Sequence, residues 1–365
     1  MKIVFVVYHD LNIEARSQET LEALKMLGEV SVVTFKKIEY DKTVRVHLSN
    51  YSRYLPGVRY LLFLLKAITV IKNERPDMVL LHDCSLLILY IKKNHKKTKI
   101  VYDQSELYID RNIKSIKSRL LKRLDNLDEK YIKYADVTIS ANKERADIMK
   151  EHFSLPESPI VFDNIHRIDD EFDVEKCQNK YDKYFAKGCF HIVYAGGIQE
   201  RRMTYELIDA VGKLGDEYRL VIAGAIPEGL ERFHTILREQ NYSNIWYVGF
   251  IPRSEWRYLL TKAEASFVAF STDTLNNIYC ASGKMYESLF EEVPILTSEN
   301  PPLKRLCVEE RVGVSNNNYI EGLITLKNNY SYYKKNTRKY IEKVDYDGRI
   351  ESLYKEISKR LIDKN

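Results

Sequence analysis

The chain has 365 residues, 45% hydrophobic and 30% charged, with a net charge of +5. That excludes a disordered chain and a general nucleic-acid coat, and it is enough for two separate cores. The five cysteines, Cys84, Cys177, Cys189, Cys280 and Cys307, are odd in number and show neither CxxC nor zinc-ligand spacing, which points to a reducing, cytoplasmic setting.

The elements begin with "KIVFVVY", a buried strand whose apolar run is too short for a signal peptide. A helix through "SQETLEALKMLG" and a strand "VSVVTF" follow, with Gly28 as the helix stop. The segments "YLLFLLKAITVI" and "MVLLHDCSLLILYI" are the most apolar, but Lys66 breaks one, and His82 and Asp83 the other. Neither reaches the roughly 18 clean residues of a membrane span. "MVLLHD", "KIVYDQ" and "ADVTIS" are further strands, so the rhythm is that of a parallel α/β sheet. Strand carboxyl ends line the ligand crevice in such sheets, which makes His82, Asp83, Asp103, Ser105, Glu106, Ser140 and Asn142 candidates by position.

Residues 166–187 are charged, lack an apolar period and read as a linker after a first domain at 1–165. The rhythm restarts with "FHIVYAGG", "YRLVIAGA", "NIWYVGF", "ASFVAF" and "VPILTS", a second doubly wound domain at 188–348. Two Rossmann-like domains in tandem are expected to face each other across a cleft. A terminal amphipathic helix occupies 349–365.

Two segments of the second domain are suited to phosphate. In "YAGGIQERRMTYELIDAV" the paired Gly196 and Gly197 let backbone approach a ligand, and the next helix N-terminus favours an anion beside Arg201 and Arg202. The alternative is a tight turn with solvated arginines. In "CASGKMYESLFEEVPIL", Ser282 and Gly283 open a helix, Lys284 can neutralise a phosphate, and Glu287 can accept hydrogen bonds from a vicinal diol such as ribose. The plain reading here is a helix-dipole glutamate and a solvated lysine. Together the segments describe a nucleoside diphosphate site.

The order of "YAGG", "LVIAG", "NIWYVGF" and "SGKMYESLFEEVPIL" resembles the C-terminal half of GT-B fold glycosyltransferases, specifically glycosyltransferase family 4 and its close relatives. The first domain follows the same family more loosely through "LLHD", "IVYDQSELY" and "IVFDN". The resemblance implies that Gly196 and Arg202 grip the donor diphosphate, that Ser282, Lys284 and Glu287 form the Ser-x-Lys-x-x-Glu segment, and that the base lies against Phe250, Ile251 and Pro252. It also implies that the terminal helix packs back on the first domain. The donor would be a UDP, GDP or dTDP sugar and the acceptor a saccharide or lipid-linked saccharide, with no further cofactor. Retention of configuration is general in the family, and Arg202, Lys284 and helix N-termini would stabilise the leaving group without a metal. No metal ligand set is therefore assigned, and no Asp-x-Asp pair occurs near these motifs.

The chain departs from the family where Asp-x-His-Glu becomes "DQSE", with Ser105 at the usual histidine. Candidate catalytic groups are then Asp103, Ser105, Glu106 and His82, with the departing phosphate as the alternative proton acceptor. Tyr279 stands where many members carry a first glutamate, and Glu292 where a helix-ending glycine is usual. A nucleotide-sugar epimerase and a non-catalytic glycan-binding partner of a transferase remain alternatives.

Two apolar stripes, Leu55, Val58, Leu61, Leu62, Leu65 and Ile68, and Ile113, Ile116, Leu120, Leu124 and Leu127, read as core. The basic residues around them, Arg53, Arg59, Lys66 and Lys72 for the first, also suit peripheral contact with anionic lipid.

Overall fold

The computed structural model describes residues 1–12, 14–36, 44–49, 55–107, 109, 130–226 and 230–362. The chain divides into two compact units, residues 1–163 with 345–365, and residues 164–344.

The first unit is built on a parallel seven-stranded sheet in the order β3-β2-β1-β4-β5-β6-β7. Its strands are β1 (Lys2–Val7), β2 (Glu29–Thr34), β3 (Arg45–Leu48), β4 (Met78–His82), β5 (Lys99–Gln104), β6 (Val137–Ser140) and β7 (Ile160–Val161). Strand β4 is buried throughout, and β1 and β5 are buried at every residue after the first, as expected of a parallel sheet covered on both faces. Helices α1 (Ala15–Leu27), α2 (Pro56–Glu74), α3 (Leu86–Asn94) and α4 (Lys143–His152) connect them.

The second unit carries a parallel six-stranded sheet in the order β10-β9-β8-β11-β12-β13. Its strands are β8 (Phe190–Ala195), β9 (Tyr218–Ala223), β10 (Ile245–Tyr247), β11 (Ala265–Val268), β12 (Ile295–Thr297) and β13 (Gly313–Ser315). Its helices are α5 (Val174–Tyr181), α6 (Thr204–Leu214), α7 (Leu230–Glu239), α8 (Arg253–Thr261), α9 (Leu275–Ile278), α10 (Gly283–Phe290), α11 (Pro301–Glu310), α12 (Tyr319–Asn328) and α13 (Tyr330–Lys343). The terminal helix α14 (Gly348–Ile362) returns to the first unit, where Leu353, Ile357 and Leu361, spaced by four, enter the same core as Ile3, Phe5 and Leu24.

The structure corrects two expectations. Residues 166–187 are not a bare linker, because they contain α5, whose Cys177 and Tyr181 are buried with Trp256 and Leu259 in the second unit's core. The missing period reflects a helix of only eight residues that buries few side chains. On α2, the stripe read as core lies at the surface. Leu55, Val58, Leu61 and Leu65 are exposed, Leu61 by 56%, while Phe63, Leu64, Ala67, Val70 and Ile71 are buried instead. The helix is apolar on both faces, so periodicity does not say which one meets the sheet. The second stripe, Ile113 to Leu127, and Arg53 lie outside the described residues. No helix among the described residues is long and apolar enough to cross a membrane.

Candidate functional site

In the second unit, parallel strands β8, β9 and β10 end at one sheet edge, each followed by a glycine turn. Gly196 follows Ala195, Gly224 follows Ala223, and Gly249 comes two residues after Tyr247. The turns lie backbone on backbone. Gly196 N–H donates to the Ala223 carbonyl (2.9 Å) and Gly224 N–H to that of Gly249 (2.9 Å), while the Tyr247 hydroxyl donates to the Gly224 carbonyl (2.6 Å). Gly224 has φ 134°, and a Cβ there would stand 1.9 Å from the Gly196 carbonyl oxygen, so both backbone angle and space require glycine.

The chain leaves Gly197 through a single 3-10 turn, Glu200–Arg202, which the Thr204 hydroxyl braces by accepting from Gln199 N–H (3.0 Å). The Arg202 guanidinium lies 4.1 Å over the Phe270 ring, a cation–π contact that fixes its plane. Arg201 is exposed, and its carbonyl accepts from Ser271 N–H (3.0 Å), joining this turn to the segment after β11. Burial, opposed only in part by Arg202 and the Thr204 bond, pushes the Tyr194 phenol up to about 12, so it stays neutral as it donates to the Gly197 carbonyl.

Helix α10 supplies the second half. Its N-cap Ser282 makes no side-chain capping bond, so the first-turn N–H groups have no side-chain cap and are of the kind that suits an anion. A Cβ at Gly283 would stand 2.3 Å from His166 Cδ2, so glycine lets that ring lie close against the start of the helix. The preceding turn is held by the Asn164 amide, which donates to the Ala281 carbonyl (3.1 Å).

Lys284 and Glu287, read separately as phosphate and ribose ligands, are brought together, with Nζ donating to Oε2 at 2.7 Å. Glu287 is only 5% exposed and also accepts from the Trp256 indole N–H (3.1 Å) and, at longer range, from Arg253 (3.5 Å). An ammonium has three N–H donors and a carboxylate about four acceptor positions, so both groups keep capacity for a ligand. Phe250 is 85% exposed, an aromatic face open to a base, whereas Ile251 packs partly on the core around Trp256. Trp256, Arg253, His166, Gly224 and Gly249 were not assigned from sequence. The repeated strand-Gly ending is a signal that could have found the two glycines.

In the first unit the four candidate catalytic residues gather at the carboxyl ends of β4 and β5, where Asp103 and His82 pair with each other and Ser105 is engaged by Asp83. Asp103 is fully buried between Arg16, which donates to it at 2.6 and 3.2 Å, and His82, whose Nδ1 is 3.1 Å away. Burial raises its carboxyl, but the Arg16 and His82 charges outweigh that and hold it well below the ordinary carboxylate range. Burial likewise lowers His82, and Asp103 more than offsets it, lifting the imidazole to about 9.

Ser105 donates from both its N–H (3.0 Å) and its hydroxyl to Asp83. Asp83 also faces His9 Nε2 at 3.3 Å. Arg145, itself buried, donates to the Ser105 carbonyl and approaches the half-exposed Glu106 at 3.9 Å. Asp103 therefore holds other groups rather than facing solvent, and Glu106 is the accessible carboxylate. Arg16 and Arg145 escaped the sequence reading because each sits on a helix, where arginine ordinarily means a solvated face.

No family model matches the chain, and no curated protein matches it in sequence. Solved structures do. Sucrose-phosphate synthase from Thermosynechococcus elongatus superposes with a TM-score of 0.75 at 14% identity, over 100% of this chain and 99% of that one. Anabaena HepE in complex with UDP-glucose gives 0.73 at 10% identity over 98% and 100% of the two chains. The apo lipopolysaccharide outer core galactosyltransferase WaaB gives 0.67 at 14% identity, over 100% of both. The likeness extends over essentially the whole length in each case, and the chain accordingly has the GT-B fold.

Proposed function

We propose that the protein is a glycosyltransferase that moves a sugar from a nucleoside diphosphate sugar to a hydroxyl of a saccharide or lipid-linked saccharide, in the making of a cell-surface polysaccharide or glycolipid. The observation that carries this reading is the second unit's sheet edge, where three glycine turns, Arg202 on its aromatic support and the side-chain-uncapped N-terminus of α10 with Lys284 occur in one unit. Such an edge suits a diphosphate, and Glu287 suits ribose hydroxyls. The UDP-glucose held by HepE favours UDP as the nucleotide.

In the proposed reaction the bond from anomeric carbon to phosphate oxygen breaks and the acceptor oxygen bonds to that carbon with retention. The acceptor proton passes to the departing phosphate. Arg202, Lys284 and the helix N–H groups stabilise the charge on the diphosphate, a task that needs no ion at that position. The exposed apolar stripe of α2, bordered by Arg59, Lys66 and Lys72, supports contact with an anionic membrane that presents a lipid-linked acceptor.

The test is to incubate the protein with UDP-, GDP- and dTDP-sugars plus candidate acceptors and to follow nucleotide release. Acceptor-dependent UDP release supports transfer. A new sugar isomer without acceptor would make the protein an epimerase, and binding without turnover would make it an accessory partner.

A further inference from the structure

At the carboxyl ends of β1 and β4, three potential ligand atoms converge, one ring nitrogen each from His9 and His82 and an Asp83 carboxylate oxygen, all within 4.8 Å of one another. The Asp83 Oδ2 atom is 3.3 Å from His9 Nε2 and 3.9 Å from His82 Nε2. Ligand atoms about 2.0–2.2 Å from a tetrahedral zinc ion stand roughly 3.3 Å apart, so small side-chain rotations would bring all three to one ion.

His82 makes the cluster more than a chance grouping. Its side chain is completely buried, and its Nε2, directed toward Asp83, has no hydrogen-bond partner among the described residues. A buried imidazole nitrogen without a partner is costly unless something else satisfies it. Its other nitrogen, Nδ1, faces Asp103, which Arg16 holds in turn. Nδ1 stands 3.1 Å from that carboxylate in ion-pair contact, without completing a hydrogen bond, and a carboxylate behind the imidazole is the order found in metal-binding histidines. Asp83 is oriented independently by two donors from Ser105, and the His9 and His82 rings meet edge to face at 5.1 Å.

We propose that His9, His82 and Asp83 form a binding site for one borderline divalent transition ion of the Zn²⁺ type. Two imidazoles and one carboxylate select such an ion over Mg²⁺ or Ca²⁺, which require oxygen ligands. Three protein ligands leave a fourth position for a water or hydroxyl. It opens on the side of His9, whose side chain is 34% exposed. The site lies in the first unit and is independent of the diphosphate-binding role assigned to the second.

The test uses the full chain without a histidine tag, at mildly alkaline pH. Zn²⁺ is titrated calorimetrically, and Co²⁺ is followed by its visible absorption. The expected result is one saturable equivalent, uncompeted by excess Mg²⁺, with affinity lowered at least about 100-fold in His9→Ala and Asp83→Asn. Asp103→Asn should lower it about 10- to 100-fold by releasing the His82 ring. His234→Ala, on the exposed face of α7, should change nothing. Partly exposed His9 is the variant expected to stay folded if Asp83→Asn or Asp103→Asn does not. No uptake by the wild type, or His9→Ala binding as tightly as the wild type, overturns the proposal.

Discussion

Glu287→Gln is the sharpest probe of the proposed donor site because it changes charge without changing shape. The carboxylate accepts from Trp256, Lys284 and Arg253 in a setting only 5% exposed. The amide oxygen can still accept the Trp256 N–H, so the indole stays satisfied. Lys284 and Arg253 are each more than a third exposed, so losing their charge partner should cost folding less than about 1 kcal/mol. Ribose is affected more. Hydrogen bonds to a charged acceptor contribute about 1 kcal/mol more than those to a neutral one, and a diol makes two of them. UDP binding should therefore weaken by about 2 kcal/mol, or roughly 30-fold. Calorimetric titration of UDP, paired with urea unfolding, separates the two effects. If the variant binds UDP as the wild type does while unfolding at the same urea concentration, Glu287 does not hold the ribose and the site reading fails.

Three further outcomes follow from other parts of the molecule. Gly224→Ala adds a Cβ 1.9 Å from the Gly196 carbonyl at φ 134°, and should cost about 3 kcal/mol or more in urea unfolding while abolishing UDP binding. Arg16→Ala leaves the buried Asp103 carboxylate with only His82 beside it and should cost about 3 kcal/mol by the same assay, whereas Lys213→Ala, an exposed pair with Asp209, should cost less than about 1 kcal/mol. Glu255 joins α5 to α8. Burial pushes its carboxyl up, but hydrogen bonds from Lys180 and Tyr181 prevail and hold it below its ordinary value of 4.5. A depressed carboxyl contributes stability that is complete above the unfolded value and is lost as pH falls through the folded one. The difference in melting temperature between wild type and Glu255→Gln should thus be constant near neutrality and shrink below about pH 4.5. A constant difference down to acid pH would contradict it.

The fold was legible wherever burial on both faces left long apolar runs, as in "KIVFVV" and "MVLLH". It was not legible at β3 and β13. Strand β3, "RVHL", is an edge strand with no buried residue, so it carries no apolar signature. Strand β13 is three residues long and begins with Gly313, where a Cβ would lie 1.9 Å from the Ile295 carbonyl oxygen. Glycine is there for close approach, and by propensity it argues against a strand. Glu292 was legible in a different way. The departure from glycine was seen, and the structure gives it φ 57° with a two-point pairing to Arg338 at 2.9 and 2.6 Å. That exposed pairing is of the same small order as the left-handed strain, which is how a glutamate is accommodated.

The candidate site's residues can be named from the sequence, but not their pairing. Sequence order names Lys284 and Glu287 as a motif, yet nothing in their spacing says that Trp256 and Arg253, some thirty residues earlier, complete the carboxylate's environment. The same holds for Ser105. Read against a family pattern it is a missing histidine. In the structure its N–H and hydroxyl both serve Asp83, and the two imidazoles that face that carboxylate come from the ends of other strands, β1 and β4. A motif comparison scores substitutions one position at a time. A parallel sheet, however, delivers the ends of several strands to one edge, so a group lost from one strand can be replaced by groups on its neighbours. The departure at "DQSE" therefore carries less information about lost chemistry than about which residues, His9 and His82, now stand beside the carboxylate that Ser105 holds.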